Sequence, residues 1–144
     1  GIEPRIAMLS FSTNGSTKHP NADRVREATQ MIRYFRPDLV CDGEMQVDAA
    51  LVPKVSALKF PNSKVPGNAN ILIFPSLEAA NIAYKLVERL GKAHAVGPVF
   101  QGFEKPINDL SRGCSVDDIV SIAAITSMEV QGAKFQAKTI TCLQ

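Results

Sequence analysis

Short unbroken apolar runs alternate along the chain with longer stretches in which apolar residues recur every three or four positions, the signature of buried strands alternating with amphipathic helices. The run from Arg5 to Phe11 lies between Pro4 and the turn-rich STNGSTKHPN, which predicts a buried strand and then a loop. From 22 to 35, Ala22, Val25, Ala28, Thr29 and Ile32 share one helical face, and Pro37 stops the helix. DLVCD predicts a short second strand, MQVDAALVPKVSALKF a helix broken or kinked near Pro53, and ANILIFP a third strand after the polar turn PNSKVPGN. Leu77, Ala80, Ala83, Tyr84 and Val87 predict a helix from Leu77 to Leu90, closed by Gly91 as a C′ glycine.

A fourth strand is expected in HAVGPVFQGF, where Gly97 and Pro98 imply an irregular or edge position. A last helix is expected from Val116 to about Gln131. Strands alternating with helices imply an α/β fold, a layered α/β/α sandwich with a mostly parallel or mixed sheet. In such sheets ligands gather beyond the carboxyl ends of the strands, here the loops STNGS, DGEMQ, PSLEAAN and QGFEKPINDLSRGCS.

Composition narrows the function. At 144 residues with 45% apolar and 21% charged side chains, the chain can bury one substantial core. The net charge of +2 comes from basic residues scattered among acidic ones, so no nucleic-acid or acidic-membrane partner is expected. The sequence has neither a span-length apolar run nor a signal-peptide order, and a cytosolic location is expected. Cys41, Cys114 and Cys142 are odd in number and lack metal-ligand spacing, and His19 is far from His94, so neither a disulfide framework nor a metal site is expected. The chain opens on GIEPRIAMLSFS, without methionine and with strand character within a few residues, which suggests a fragment.

The chemistry concentrates in NDLSRGCSVDD, Asn108 to Asp118. On one reading it is a helix start: Ser115 is an N-cap, Asp118 completes a capping box with Asp in place of Glu or Gln, and Asp117 adds negative charge at the positive helix end. On the other, Ser111, Arg112 and Gly113 supply a hydroxyl, a bidentate fork and unhindered N–H groups, a seat for a phosphate beside an acidic residue able to accept a proton. Spacing alone leaves both open. Elsewhere, STNGS can bind phosphate or carboxylate or merely connect, the acids of CDGEMQVD read as turn and helix-start chemistry, and Lys105 either reaches an anionic ligand or stays solvated. Cys114 lies by a helix start but without a histidine beside it in sequence, which favours packing over nucleophilic catalysis.

RIAMLSFSTNGS, VREATQ, RPDLVCDGEMQVDAAL, PNSKVPGNANILIFPSLEAANIAYKL, AVGPVFQGF and KPINDLSRGCSVDDIV together resemble the C-terminal portion of phosphate acetyltransferases, over nearly the whole chain and in the family's order. The resemblance implies residues 1–144 of a phosphate acetyl/butyryl transferase domain whose N-terminal half is absent, in a two-domain isocitrate/isopropylmalate dehydrogenase-like fold. It also implies reversible acetyl exchange between phosphate and coenzyme A, with CoA as substrate, no prosthetic group, no metal catalysis and a homodimeric full-length protein. By position, Ser111 matches the family's active-site serine, Arg112 its phosphate-binding arginine and Asp118 its catalytic aspartate. Further substrate contacts are expected from Ser12, Thr13, Gly15, Ser16, Gln101, Gly102, Lys105 and Asn108. GEMQVDAAL and LEAANIAYKL also resemble the regulatory acetyl-CoA-sensing domain of large bacterial malic enzymes, the alternative function.

Overall fold

The computed structural model describes residues 1–141, with only the helical backbone described for 133–141, so Cys142 lies outside the described residues. The chain forms two compact units, Gly1–Leu86 and Val87–Gln144. In the first, β1 (Arg5–Leu9) is central in a parallel sheet of order β2-β1-β3, flanked by β2 (Val40–Met45) and β3 (Ile71–Ile73). Side chains on β1 alternate between two cores, as the two-residue period of a strand requires. Ala7 and Leu9 join Met45, Ala49, Ala50 and Val65 on one face, and Met8 joins Val25 and Cys41 on the other. The expected buried, layered arrangement is therefore present as a small parallel sheet covered on both faces.

Helix α1 (Pro20–Phe35) covers the Met8 face with Ala22, Val25 and Thr29. Pro20 sits in its first turn, where a missing N–H costs nothing, and His19 caps it by accepting from the Asn21 N–H at 3.1 Å. The break expected near Pro53 separates α2 (Val47–Leu51) from α3 (Pro53–Lys59), with Val52 in the extended conformation that a following proline favours. Gly67 closes against this break at φ +74°, where a Cβ would overlap the backbone of Val52 and Pro53.

One expectation about β2 is corrected. The strand expected in DLVCD runs on through Met45, so Asp42 and Glu44, read as turn and helix-start acids, are strand residues and both 1% exposed. The pairing also slips: Met8 faces Gly43 and Leu9 faces Met45, leaving Glu44 as the extra residue of a bulge, a device that re-aims a side chain. Gly43 permits the close approach, because at φ +154° a Cβ would stand 2.6 Å from Met8 Cβ. Arginines from α1, distant in sequence, make the burial of these acids tolerable: Arg26 pairs with Glu44 and Arg33 with Asp42, seven residues apart on one helix face.

Helix α4 (Leu77–Leu90) has the expected bounds, yet its apolar side, including Leu77 and Val87, is exposed rather than buried. Its end also differs: Gly91 donates its N–H to the Val87 carbonyl, and the positive φ of 52° falls on Lys92. The expected fourth strand is not formed among the described residues. HAVGPVFQGF makes only an isolated antiparallel bridge, Val99 with Asn108, because a strand needs a partner to complete its ladder and none is described beside it. Helix α5 (Val116–Thr141) starts where expected and runs ten residues further than Gln131. Among the described residues, no helix is long and apolar enough to cross a membrane.

Candidate active site

In the first unit, the loop after β1 closes on a carboxylate of the protein itself. Glu44 Oε1 accepts from Ser12 Oγ at 2.7 Å, the Gly15 N–H at 2.9 Å and Arg26 Nη1 at 2.8 Å. Ser16 Oγ accepts from the Thr13 N–H at 3.1 Å and lies 3.2 Å from Ser12 Oγ, while Thr13 Oγ1 accepts from the Gln46 N–H at 2.9 Å. Among the expected substrate contacts, Ser12, Thr13 and Gly15 thus tie this loop to the end of β2, and Ser16 bonds within the loop. Within STNGS, Ser12 and Thr13 are buried, and Asn14, Gly15 and Ser16 are exposed. A cavity of about 480 Å³ opens beside this cluster, lined in part by Asn14, Gly15, Arg26, Arg33, Glu44 and Lys64.

In the second unit, Ser111 to Cys114 form a turn closed by the Cys114 N–H donating to the Ser111 carbonyl at 3.0 Å. This turn leads into α5 and leaves Ser111 and Arg112 exposed. Arg112 forms no ion pair among the described residues, so its fork is available to an anion. The helix start is a reciprocal capping box: the Asp118 N–H donates to Ser115 Oγ at 3.2 Å, and the Ser115 N–H donates to Asp118 Oδ2 at 2.7 Å. Asp118 Oδ1 meets His94 Nε2 at 2.8 Å. The Ser115 N–H first, and His94 second, hold the Asp118 carboxyl down to about 2. Asp118 is therefore a cap whose half-buried carboxylate stays ionised in the neutral range.

Asn108, an expected substrate contact, makes hydrogen bonds within the chain. Its Oδ1 accepts from the Phe100 N–H, and its amide hydrogens go to Thr126 Oγ1 and Glu129 Oε2, all at 2.8 Å, tying the long loop to α5. Gln101, Gly102 and Lys105 are exposed on that loop, with Gly102 at φ +89°. Sequence reasoning missed His94 and Glu44. Neither has a local signal, since His94 stands 24 residues from Asp118 and Glu44 stands 32 from Ser12. Cys41 is buried, which together with Asp42 pushes its thiol pKa up, and Cys114 is half-buried and free. Among the described residues, no group of three or more His, Cys, Asp or Glu is placed to hold a metal ion.

Solved structures with this arrangement define a class of acyl-transferring proteins by their names. A phosphotransacetylase from Streptococcus pyogenes matches with a TM-score of 0.87 and 53% identity over 91% of this chain and 40% of its own. A branched-chain phosphotransacylase from Enterococcus faecalis matches at 0.74 and 25% identity over 89% of this chain and 47% of its own. The model of the phosphate acetyl/butaryl transferase family matches residues 1–127, and the chain belongs to that family. The phosphate acetyltransferase of Clostridium acetobutylicum is 58% identical over 130 residues, 90% of this chain and 39% of that protein. That of Bacillus subtilis is 51% identical over 128 residues, 89% of this chain and 40% of that protein. The chain thus spans about 40% of the length of the curated relatives it matches.

Proposed function

We propose that the chain is the C-terminal portion of a phosphate acetyl/butyryl transferase domain that moves an acetyl group reversibly between phosphate and coenzyme A. The observation that carries this reading is the exposed Ser111-Arg112 turn leading into a helix whose first turn presents the Asp118 carboxylate. The names of its relatives favour it over a regulatory acetyl-CoA-sensing domain. The reading includes a two-domain isocitrate/isopropylmalate dehydrogenase-like fold in the full-length protein, a homodimer in the cytoplasm, with CoA as substrate and no prosthetic group.

Arg112 holds the phosphoryl group of acetyl phosphate through its fork, aided on the long loop by Gln101, Gly102 and Lys105. Asp118 is ionised throughout the neutral range and accepts the proton of the CoA thiol. Free thiols titrate near 8.5, so complete transfer to this carboxylate ahead of attack is uphill by roughly six powers of ten. The proton therefore moves as the sulfur–carbon bond forms. The S–H electron pair becomes the bond to the acetyl carbon, the carbonyl π pair moves to oxygen, and on its return the carbon–oxygen bond to phosphate breaks. Ser111 donates to the oxygen that gains charge. Ser12, Thr13, Gly15, Ser16 and Asn108 are further substrate contacts on loops that their own hydrogen bonds hold in shape.

The test is acetyl-CoA formation from acetyl phosphate and CoA by the protein at the full length of its relatives. Ser111→Ala is expected to lower kcat about 10² to 10³-fold, as loss of one transition-state donor does. Arg112→Ala should raise KM for acetyl phosphate, and Asp118→Asn should abolish turnover. Wild-type turnover by folded Asp118→Asn would overturn the base assignment.

A further inference from the structure

We propose that His94 is a positioning residue for Asp118: its imidazole holds the outer carboxylate oxygen and sets the orientation in which Asp118 meets the thiol proton. The inference rests on the assignment of Asp118 as base and deepens it. Asp118 is held at two points. The Ser115 N–H fixes Oδ2 at 2.7 Å from within the helix start, and His94 Nε2 fixes Oδ1 at 2.8 Å from the segment before the long loop. The first contact alone leaves the carboxylate able to swing about the capped oxygen. The second removes that freedom, and a base must be held within hydrogen-bond reach of the proton it takes.

The surroundings single out this contact. Helix α5 brings Asp117 and Asp118 in its first turn, and the segment carrying His94 brings Lys92; of these only Asp118 is at ion-pair distance among the described residues. An ionised carboxylate only accepts, so the imidazole donates from Nε2, and Nδ1 has no hydrogen-bond partner among the described residues.

The experiment measures kcat and KM for the protein at the full length of its relatives, with His94→Ala and His94→Gln, each checked for folding by circular dichroism. His94→Ala is expected to lower kcat about tenfold with KM for both substrates within about twofold. His94→Gln retains a side-chain donor and should restore most of kcat. Wild-type kcat in His94→Ala, or no recovery in folded His94→Gln, with Asp118→Asn inactive, would overturn the role of His94 and leave the base assignment standing. Wild-type turnover in Asp118→Asn would overturn the assignment and this inference with it.

Discussion

Glu44 is a buried carboxylate held by a hydroxyl and an N–H group of the loop after β1. A buried carboxylate is costly unless charge and hydrogen bonds compensate it, and here Ser12, Gly15 and Arg26 all converge on one oxygen. Glu44→Gln keeps the shape and an acceptor oxygen but removes the buried charge that faces Arg26, which keeps its pair with Asp23. Because Arg26 is about one-quarter exposed, the expected loss is modest, about 2 kcal/mol of unfolding free energy in a urea titration. In sequence, the glutamate looked like one of three acids in a polar turn. Its role was illegible because its position depends on a bulge, on Gly43 and on an arginine 18 residues away. The turn at Ser111 and Arg112, by contrast, was legible as a turn, because Ser-Arg-Gly before a helix start is a local pattern, and both residues are exposed there.

Among the elements, α5 shows how a single device can serve two ends. Its capping box was readable from Ser115 and Asp118 because the reciprocal contacts span one helical turn. Ser115→Ala should destabilise the chain by about 1 kcal/mol in denaturant unfolding, with α5 otherwise helical. The Asp118 carboxyl has a folded pKa of about 2, below its unfolded value near 4, so the stability it contributes is complete above the unfolded value. That stability is lost as the pH falls towards 2, and Asp118→Asn should flatten this part of a stability-versus-pH curve. The helices and first three strands were legible because periodicity is local. The fourth strand was not, since Val99 to Phe103 have strand-like residues without a described partner to complete a ladder.

For the whole molecule, the exposed apolar side of α4 and the share of the relatives' length that the chain covers bear on the same question. If the remaining length of the relatives supplies groups essential to transfer, the 144-residue chain alone should form little or no acetyl-CoA, and the protein at the relatives' length should be active. Normal turnover by the 144-residue chain would refute this. The placement of β1 at the centre of its sheet also sets the order of assembly. Arg5–Leu9 precede both of their partners in the chain, and Ile6 must pair with Cys41 on one side and Ile71 on the other. Neither partner can be reached by a tight turn, so each pairing requires closure of a long loop before any contact repays its entropy. During synthesis β1 therefore waits for both of these pairings until β2 and then β3 emerge. The first unit should accordingly fold as a late, non-local event rather than growing from its first strand.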